Sequence, residues 1–173
     1  GVKMENLGYW SRPFVLENNS LDSHRMITYT VPLRYGGTIY GVMGIEISTS
    51  YLESYLTVSN LDSGMNAGYA LALKMGDGTY DVIAGKGTLY DAVSRESKSF
   101  TLIQQKDDIA KVKGAKVGKQ NIYAVEKDLD LYSSNVPYSD TSWVLCGFVT
   151  EDSVYGMGND IFRTICIAVL VSV

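Results

Sequence analysis

Glu46 is the residue with the clearest chemical potential, because it is a carboxylate within the otherwise apolar run Tyr40–Ile47 (YGVMGIEI). In a β-strand the side chains alternate between two faces, so Tyr40 and Glu46 are expected to point in the same direction. An unpaired buried charge is costly, and the carboxylate must therefore reach a partner or water. We regard Glu46 as a candidate contact for a cationic ligand; a structural salt bridge is the alternative interpretation.

A second candidate group consists of aromatic and basic residues near the start of the chain: Tyr9, Trp10, Arg12 and Phe14. Aromatic rings enclose cationic ligands, and a guanidinium group binds a carboxylate through two parallel hydrogen bonds. These residue types predict a pocket for a small charged molecule, with Tyr40 as a further wall residue. The alternative interpretation places Trp10 and Phe14 in a hydrophobic core and Arg12 on the surface.

Catalytic and metal-binding motifs are poorly supported by the sequence. The single histidine, His24, lies in a polar segment, and nothing near it forms a Ser/His/Asp or metal-ligating pattern. The glycines of Gly114–Gln120 (GAKVGKQ) miss the phosphate-binding loop pattern, which needs a longer spacing and Ser or Thr after the lysine. We therefore predict that this region is not an enzyme and has no cofactor and no metal site.

Charge and cysteine content argue against other classes. The net charge is −4, and nucleic-acid binding needs clustered Lys and Arg, so we predict no nucleic-acid partner. A basic run from Lys111 to Lys119 is predicted to be a solvated loop, with contact to anionic lipid headgroups or the cell wall as the weaker alternative. Cys146 and Cys166 form no disulfide framework and are predicted to be buried small hydrophobic residues.

Turn and cap signals indicate the elements that must position these residues. A β-rich run meets Gly36-Gly37 and continues into a second run, which predicts an antiparallel hairpin carrying Glu46. Ser50-x-x-Glu53 matches a capping box, so we predict a helix over 50–60. Further predicted elements are a hairpin around Gly76-Asp77-Gly78, a short helix at 89–96, a polar loop or edge hairpin at 107–118, and strands at 99–105, 121–132 and 142–150.

The chain also carries a weak internal repeat. Val42–Ile47 (VMGIEI), followed after two residues by Ser50, matches Leu145–Thr150 (LCGFVT), followed after two residues by Ser153. Both copies predict a strand with a central glycine that leads into a helix, which indicates two similar modules in tandem. Chance similarity between two β-hairpins is the alternative. The second copy has valine where the first has glutamate, so the architecture itself does not require the acid.

The hairpin-into-helix run at 27–56, preceded by Tyr9–Pro13 (YWSRP), resembles the double-Cache family of extracytoplasmic sensor domains of bacterial transmembrane receptors. The resemblance implies an α+β fold with PAS-like antiparallel sheets. Residues 1–49 would be the C-terminal part of a membrane-distal module, 50–60 a connecting helix, and 66–155 a complete membrane-proximal module. The distal module would be truncated at its N-terminal side and would therefore expose apolar surface.

The same resemblance implies a role for Glu46. In double-Cache sensors of amino acids and other amines, an acidic residue on the matching strand, usually Asp, holds the ligand ammonium group. Those members usually carry Tyr-x-Asp near the point where this chain has Phe14-Val15-Leu16. An amino acid is therefore one ligand class among several, beside other amines and carboxylates.

The apolar tail Ile161–Val173 (IFRTICIAVLVSV) is predicted to be the start of a transmembrane helix. A helix of this length spans roughly 20 Å, whereas a bilayer has a hydrocarbon core of about 30 Å. The predicted helix would therefore continue beyond Val173, with Arg163 reaching the headgroups. A buried C-terminal helix is the alternative interpretation.

These features together predict an extracytoplasmic small-molecule sensor at the cell membrane, with homodimerisation plausible. It would relay ligand binding through a transmembrane helix to a histidine kinase, diguanylate cyclase or chemoreceptor output. The alternative is a surface-anchored adhesive or structural module without a small ligand. A sensor predicts an enclosed polar and aromatic pocket around Glu46, whereas an adhesive module predicts a filled core there.

Overall fold

Two antiparallel β-sheets make up the fold in the computed structural model of the chain, which describes residues 7–15, 24–55, 67–106, 109–132 and 142–154. The first sheet contains β1 (Tyr9–Trp10), β2 (Phe14–Val15), β3 (Arg25–Tyr35) and β4 (Thr38–Ser48), and α1 (Thr49–Tyr55) follows directly. The second sheet contains β5 (Ala67–Lys74), β6 (Thr79–Lys86), β7 (Ser99–Lys106), β8 (Ile109–Val117), β9 (Gln120–Leu129) and β10 (Ser142–Thr150), with α2 (Thr88–Val93) between β6 and β7.

The β3–β4 hairpin carries Glu46 and dominates the first sheet. Its two 11-residue strands pair antiparallel along nearly their whole length, while β1 and β2 pair with the other edge of β3. The turn residues Gly36 and Gly37 have φ angles of 52° and 86°. Two successive positive φ angles favour glycine and suit the twist of a tight hairpin. The hairpin predicted from the Gly-Gly pair is confirmed.

Helix α1 begins one residue earlier than the sequence indicated, and its cap is a different serine. The Oγ atom of Ser48, the last residue of β4, accepts a hydrogen bond of 3.1 Å from the backbone N–H of Tyr51. This is the usual contact of an N-cap side chain with the third helical residue. Ser50 therefore does not cap the helix, and the predicted capping box with Glu53 is wrong. The predicted continuation over 56–60 lies outside the described residues.

The second sheet closes on itself as a ring of six strands in the order β10-β5-β6-β7-β8-β9. The hairpin predicted around Gly76-Asp77-Gly78 is confirmed, because it joins β5 to β6. Only three residue pairs join β6 to β7, whereas eight pairs join β10 to β5. Of the six strand contacts in the ring, β6–β7 thus has the fewest paired residues.

Strand β8 corrects the prediction of a polar loop or edge hairpin at 107–118. It pairs with β7 on one side and with β9 on the other, so it lies within the ring. Ala110 and Val112 are buried, whereas the lysines between and beside them point away from the core. The alternation of lysine and apolar residues is the pattern of a half-buried strand rather than of a loop.

The main hydrophobic core lies inside the ring, beneath α2. Its buried members include Leu89 and Tyr90 of α2, Ile122 of β9, and Val144 and Phe148 of β10.

Helix α2 can approach this core closely because the strand beneath it has glycine at the contact. A Cβ atom added to Gly68 would lie 2.5 Å from the backbone nitrogen of Tyr90. At the start of the helix, Gly87 has a φ of 108°, a value that side chains rarely adopt. A Cβ atom on Gly87 would also lie 2.6 Å from the backbone carbonyl oxygen of Ala67, so the close approach of the helix to β5 requires glycine here.

A second hydrophobic cluster joins the first sheet to the outer surface of the ring. Ile27 of β3 is buried together with Leu73, Ile83 and Trp143 of the ring, and Leu52 of α1 packs against them.

An ion pair reinforces this junction. The Nη2 atom of Arg25 lies 2.7 Å from Oδ1 of Asp81 on β6, and its other terminal nitrogen donates to the backbone carbonyl of Val82. The first sheet is thus held to the ring by both apolar packing and charge.

The internal repeat has a structural counterpart. Strands β4 and β10 each pair with the strand that precedes them, and each leads directly into helical residues, at Thr49 and at Glu151. The strands differ at their other edges: β10 also pairs with β5, whereas β4 pairs only with β3 in the described part of the chain. Val42, Met43 and Ile45 of β4 are accordingly 67%, 55% and 61% exposed.

The remaining sequence predictions concern isolated residues and the tail. Cys146 is buried in β10, as predicted, and Cys166 lies outside the described residues. The predicted membrane segment at 161–173 also lies outside them. No helix within the described ranges is long and apolar enough to cross a bilayer.

Candidate functional site

Glu46 lies on β4, opposite Thr28 of β3, with its side chain exposed. Directly opposed residues of antiparallel strands present their side chains on the same face. Thr28, Thr30, Gly44 and Glu46 therefore share a face. A Cβ atom on Gly44 would lie 3.1 Å and 3.2 Å from the methyl groups of the two threonines, so these methyl groups pack closely over the glycine.

Tyr9 and Phe14 lie at register positions on the same face as Glu46, and the ring of Tyr9 stacks on that of Tyr132 with the centroids 6.3 Å apart. Tyr9 is opposite Thr30, and Phe14 is opposite Met26, two positions before Thr28 on β3. Both rings are half-buried. We call the surface formed by Tyr9, Phe14, Thr28, Thr30, Gly44 and Glu46 the Glu46 face. It combines one carboxylate, three hydroxyl groups and two aromatic rings.

Trp10 lies on the opposite face of the first sheet. Its ring centroid is 4.8 Å from that of Tyr29 and 6.0 Å from that of Trp143, and its backbone N–H donates to the hydroxyl of Tyr132 over 2.9 Å. It also lines an apolar cavity of about 190 Å³ at the junction of sheet and ring, together with Ile27, Leu52, Leu71, Leu129, Leu131 and Trp143. This placement agrees with the alternative that assigned Trp10 to a hydrophobic core.

Arg12 and Tyr40, the other two predicted site residues, are both exposed. Arg12 lies in the short segment between β1 and β2. The side chain of Tyr40 is 71% exposed, and its ring lies 6.5 Å from that of Tyr35 at the hairpin end. At about 3.3 Å per residue, Tyr40 lies roughly 20 Å along the strand from Glu46. The structure therefore does not bring Tyr40 next to the carboxylate.

The surroundings of Glu46 match neither of the two sequence-based pictures. Glu46 is exposed rather than enclosed in a pocket, and its face is open rather than filled by a core. Its carboxylate reaches water, which satisfies the charge, and no ion pair or hydrogen bond joins it to another residue that the structure describes. The Glu46 face is therefore an accessible anionic surface with aromatic and hydroxyl neighbours.

A polar cluster that the sequence did not reveal lies inside the ring. Glu126 of β9 accepts hydrogen bonds from Nζ of Lys74 over 2.6 Å and from the hydroxyl of Tyr80 over 2.5 Å. These residues come from three strands, so only the register of the ring brings them together.

Burial and hydrogen bonding set the protonation of this cluster. Burial, followed by the hydrogen bond to Glu126, raises the pKa of Tyr80 to about 12. Burial opposes ionisation of Glu126, but the hydrogen bonds from Lys74 and Tyr80 outweigh it and hold the pKa of this carboxyl below its ordinary value. Burial, together with the nearby Glu126 charge, raises the pKa of Cys146 to about 12. Near neutral pH, Glu126 is therefore an ionised carboxylate paired with Lys74, and the thiol of Cys146 is protonated.

Metal-ligating groups of three or more His, Cys, Asp or Glu side chains do not occur among the residues that the structure describes. His24 is exposed at the start of β3. The Glu46 face can bind a ligand reversibly through charge, hydrogen bonds and aromatic contact.

Comparison with known proteins gives matches at the level of structure. No family model and no curated protein matches the sequence. The ligand-binding domain of the Pseudomonas fluorescens chemoreceptor CtaA in complex with L-leucine matches with a TM-score of 0.52 and 17% identity, over 86% of this chain and 56% of that chain. The ligand-binding domain of the Pseudomonas aeruginosa PAO1 amino acid chemoreceptor PctB in complex with L-Arg matches with a TM-score of 0.51 and 16% identity, over 92% and 56%.

A third structure, methyl-accepting chemotaxis protein X, matches with a TM-score of 0.51 and 14% identity, over 85% of this chain and 52% of that chain. The chain thus has the PAS-like, Cache-type fold of chemoreceptor ligand-binding domains, which confirms the predicted fold class and the family resemblance at the level of the fold. It spans about half the length of these neighbours. At such low identities the likeness concerns the fold and assigns no residue a role.

Proposed function

We propose that this chain is the sensing region of a bacterial membrane receptor and that its Glu46 face binds a small molecule carrying an ammonium group. The chemoreceptor-type fold supports the sensing role. The observation that carries the ligand class is the exposed carboxylate of Glu46 beside hydroxyl and aromatic side chains.

The chemistry of the face suits an ammonium group in particular. An ammonium group has three donors and no acceptor, and it forms its strongest hydrogen bonds with a carboxylate such as that of Glu46. The hydroxyl groups of Thr28 and Thr30 can accept further hydrogen bonds. The rings of Tyr9 and Phe14 offer faces that attract a cation.

An amino acid is the first ligand to consider, because the compared domains of CtaA and PctB were solved with L-leucine and L-Arg. This chain has Phe14-Val15-Leu16 where amine-binding members of the double-Cache family usually carry Tyr-x-Asp. We therefore extend the proposal to other small amines, which need only the carboxylate and the aromatic surface.

The relay of binding would use the contacts between the first sheet and the ring. A ligand shifts an equilibrium only by its difference in affinity between two states. Trp10 and Arg25 belong to the sheet that carries the Glu46 face, and they contact Trp143 and Asp81 of the ring. We propose that ligand binding alters these contacts.

The wider receptor belongs to the same proposal. The sensing region would lie outside the cytoplasm, anchored by a helix that begins near residue 161. The signal would reach a cytoplasmic histidine kinase, diguanylate cyclase or chemoreceptor output, and the receptor would work as a homodimer.

The proposal is tested by thermal unfolding and calorimetric titration with L-leucine, L-arginine, L-glutamine, γ-aminobutyrate and putrescine. A ligand present at a hundred times its dissociation constant adds about 2.7 kcal/mol to the free energy of unfolding. We expect at least one compound to stabilise the protein and Glu46→Gln to abolish the effect. The control is Asp128→Asn, which removes an exposed carboxylate from β9 of the ring. An unchanged effect in Glu46→Gln would remove Glu46 from the site, and no stabilisation by any of the compounds would refute the proposed ligand class.

The adhesive alternative is favoured by one observation. Tyr35 and Tyr40, at the end of the β3–β4 hairpin, are 79% and 71% exposed. An adhesive surface would bind cell-wall polymer in pull-down assays and lose that binding in a Tyr35→Ala, Tyr40→Ala double variant. A sensor would keep its small-molecule response in the same variant, because both tyrosines lie far from Glu46.

A further inference from the structure

A cleft of about 260 Å³ lies beside the C-terminal end of α2, far along the chain from the Glu46 face. Its walls come from α2, from residues 94–99 that follow it, and from β7 and β8. Val93, Phe100 and Val112 contribute buried apolar side chains to the floor. The volume is below the usual range for drug-sized ligands and suits a small metabolite.

The rim of this cleft is predominantly basic. Arg95, Lys113 and Lys116 line it with exposed side chains, and Glu96 is the only acidic residue among its lining residues. None of these four side chains forms an ion pair or hydrogen bond with any other residue that the structure describes. The chain as a whole has a net charge of −4, so this local excess of positive charge runs against its overall balance. Clustered like charges repel one another until an anion neutralises them.

A β-bulge brings two of these lysines to the same cleft. In a regular strand, Lys113 and Lys116 would point to opposite faces, because they are an odd number of residues apart. The pairing of β8 with β9 is irregular between Lys111 and Lys116, and Gly114 within that interval has a φ of 77°. A bulge redirects side chains, which explains how both lysines line one cleft. The irregular backbone of β8 therefore places two positive charges at the rim of one cleft.

We propose that this cleft is a second ligand site, which binds a small organic molecule with two carboxylate groups. The guanidinium of Arg95 matches a carboxylate in geometry, and Lys113 and Lys116 supply charge for a second one. Inorganic phosphate or sulfate has a single anionic centre, whereas a dicarboxylate can place one carboxylate on Arg95 and the other on the two lysines. This site lies in the ring and is independent of the amine site on the first sheet.

The test is calorimetric titration of the protein with succinate and citrate at low salt. We expect saturable binding that weakens as salt is added. The double variant Lys113→Gln, Lys116→Gln is expected to lose roughly tenfold or more in affinity, as is common when charge-assisted contacts are removed. The matched control is Lys119→Gln, Lys127→Gln, which changes the net charge by the same amount at exposed positions outside the cleft. It is expected to bind both compounds like the original protein.

Several outcomes would overturn the proposal. These are absence of binding by both compounds, equal losses in the two double variants, or equal affinity for inorganic phosphate. Vesicles containing phosphatidylglycerol are titrated in parallel, and binding of vesicles but not succinate through Lys113 and Lys116 would assign the basic rim to a lipid surface instead. Glu46→Gln is expected to leave succinate binding unchanged, so failure here is distinguishable from failure of the amine site.

Discussion

At the scale of one residue, the hydrogen bonds of Glu126 lead to a prediction about stability and pH. Its carboxylate accepts from both Lys74 and Tyr80, and the side chain is 30% exposed. Because the pKa of Glu126 is lowered in the folded chain, ionisation stabilises the fold. This contribution is complete above the unfolded pKa, near 4.5, and is lost as the pH falls through the lower folded pKa.

We therefore predict that Glu126→Gln lowers the free energy of unfolding at pH 7 by about 1 to 2 kcal/mol. The effect is smaller than for a fully buried ion pair because water partly screens the charge of Lys74. Below pH 4.5 the difference between variant and original protein should shrink. Urea titrations at pH 7 and pH 3.5 measure both values. Glu96→Gln, at an exposed position with no described partner, is the control and should change little. A pH-independent difference would contradict the assigned ionisation.

At the scale of elements, the close packing of α2 against β5 depends on Gly68. A methyl group on Gly68 would meet the backbone of Tyr90, which cannot rotate away as a side chain would. We predict that Gly68→Ala lowers the free energy of unfolding by about 1 to 3 kcal/mol through overpacking. The control is Gly76→Ala, because a Cβ atom there has no neighbour within 4 Å. Thermal and urea unfolding of both variants would show the contrast, and equal stability of the two would contradict the close helix–strand contact.

The elements also show what sequence patterns can and cannot reveal. Gly36-Gly37 predicted its hairpin correctly because a local backbone requirement decided it. Strand β8 was predicted as a polar loop or edge hairpin because its lysines outweighed the buried Ala110 and Val112 in the pattern. The face on which Trp10 lies follows from pairing with β3, and the Lys74–Glu126 contact follows from the register of the ring. Both features depend on pairing between strands that are distant in the sequence, so the spacing of residues along the chain could not predict them.

At the scale of the whole molecule, the Arg25–Asp81 ion pair holds the sheet that carries Glu46 to the ring. We predict that Arg25→Ala speeds amide hydrogen exchange in β3 and α1 and leaves β9 and β10 unchanged. Arg34→Ala is the control, because this arginine, on the same strand, donates to Gly37 of its own hairpin. Uniformly faster exchange in all strands would indicate general destabilisation and would contradict a local role for Arg25 in joining the two parts.

The location of that ion pair has a mechanical consequence. Asp81 is one of the three β6 residues that close the ring, and it is paired with Ser99, which lines the basic cleft. One short route from Arg25 to the wall of that cleft therefore runs through the Asp81 side chain and the pairing of Asp81 with Ser99. The ion pair thus lies beside the β6–β7 contact, which has the fewest paired residues of the six strand contacts in the ring. Force applied to the first sheet would therefore act on this sparsely paired contact before it reaches the other strands of the ring.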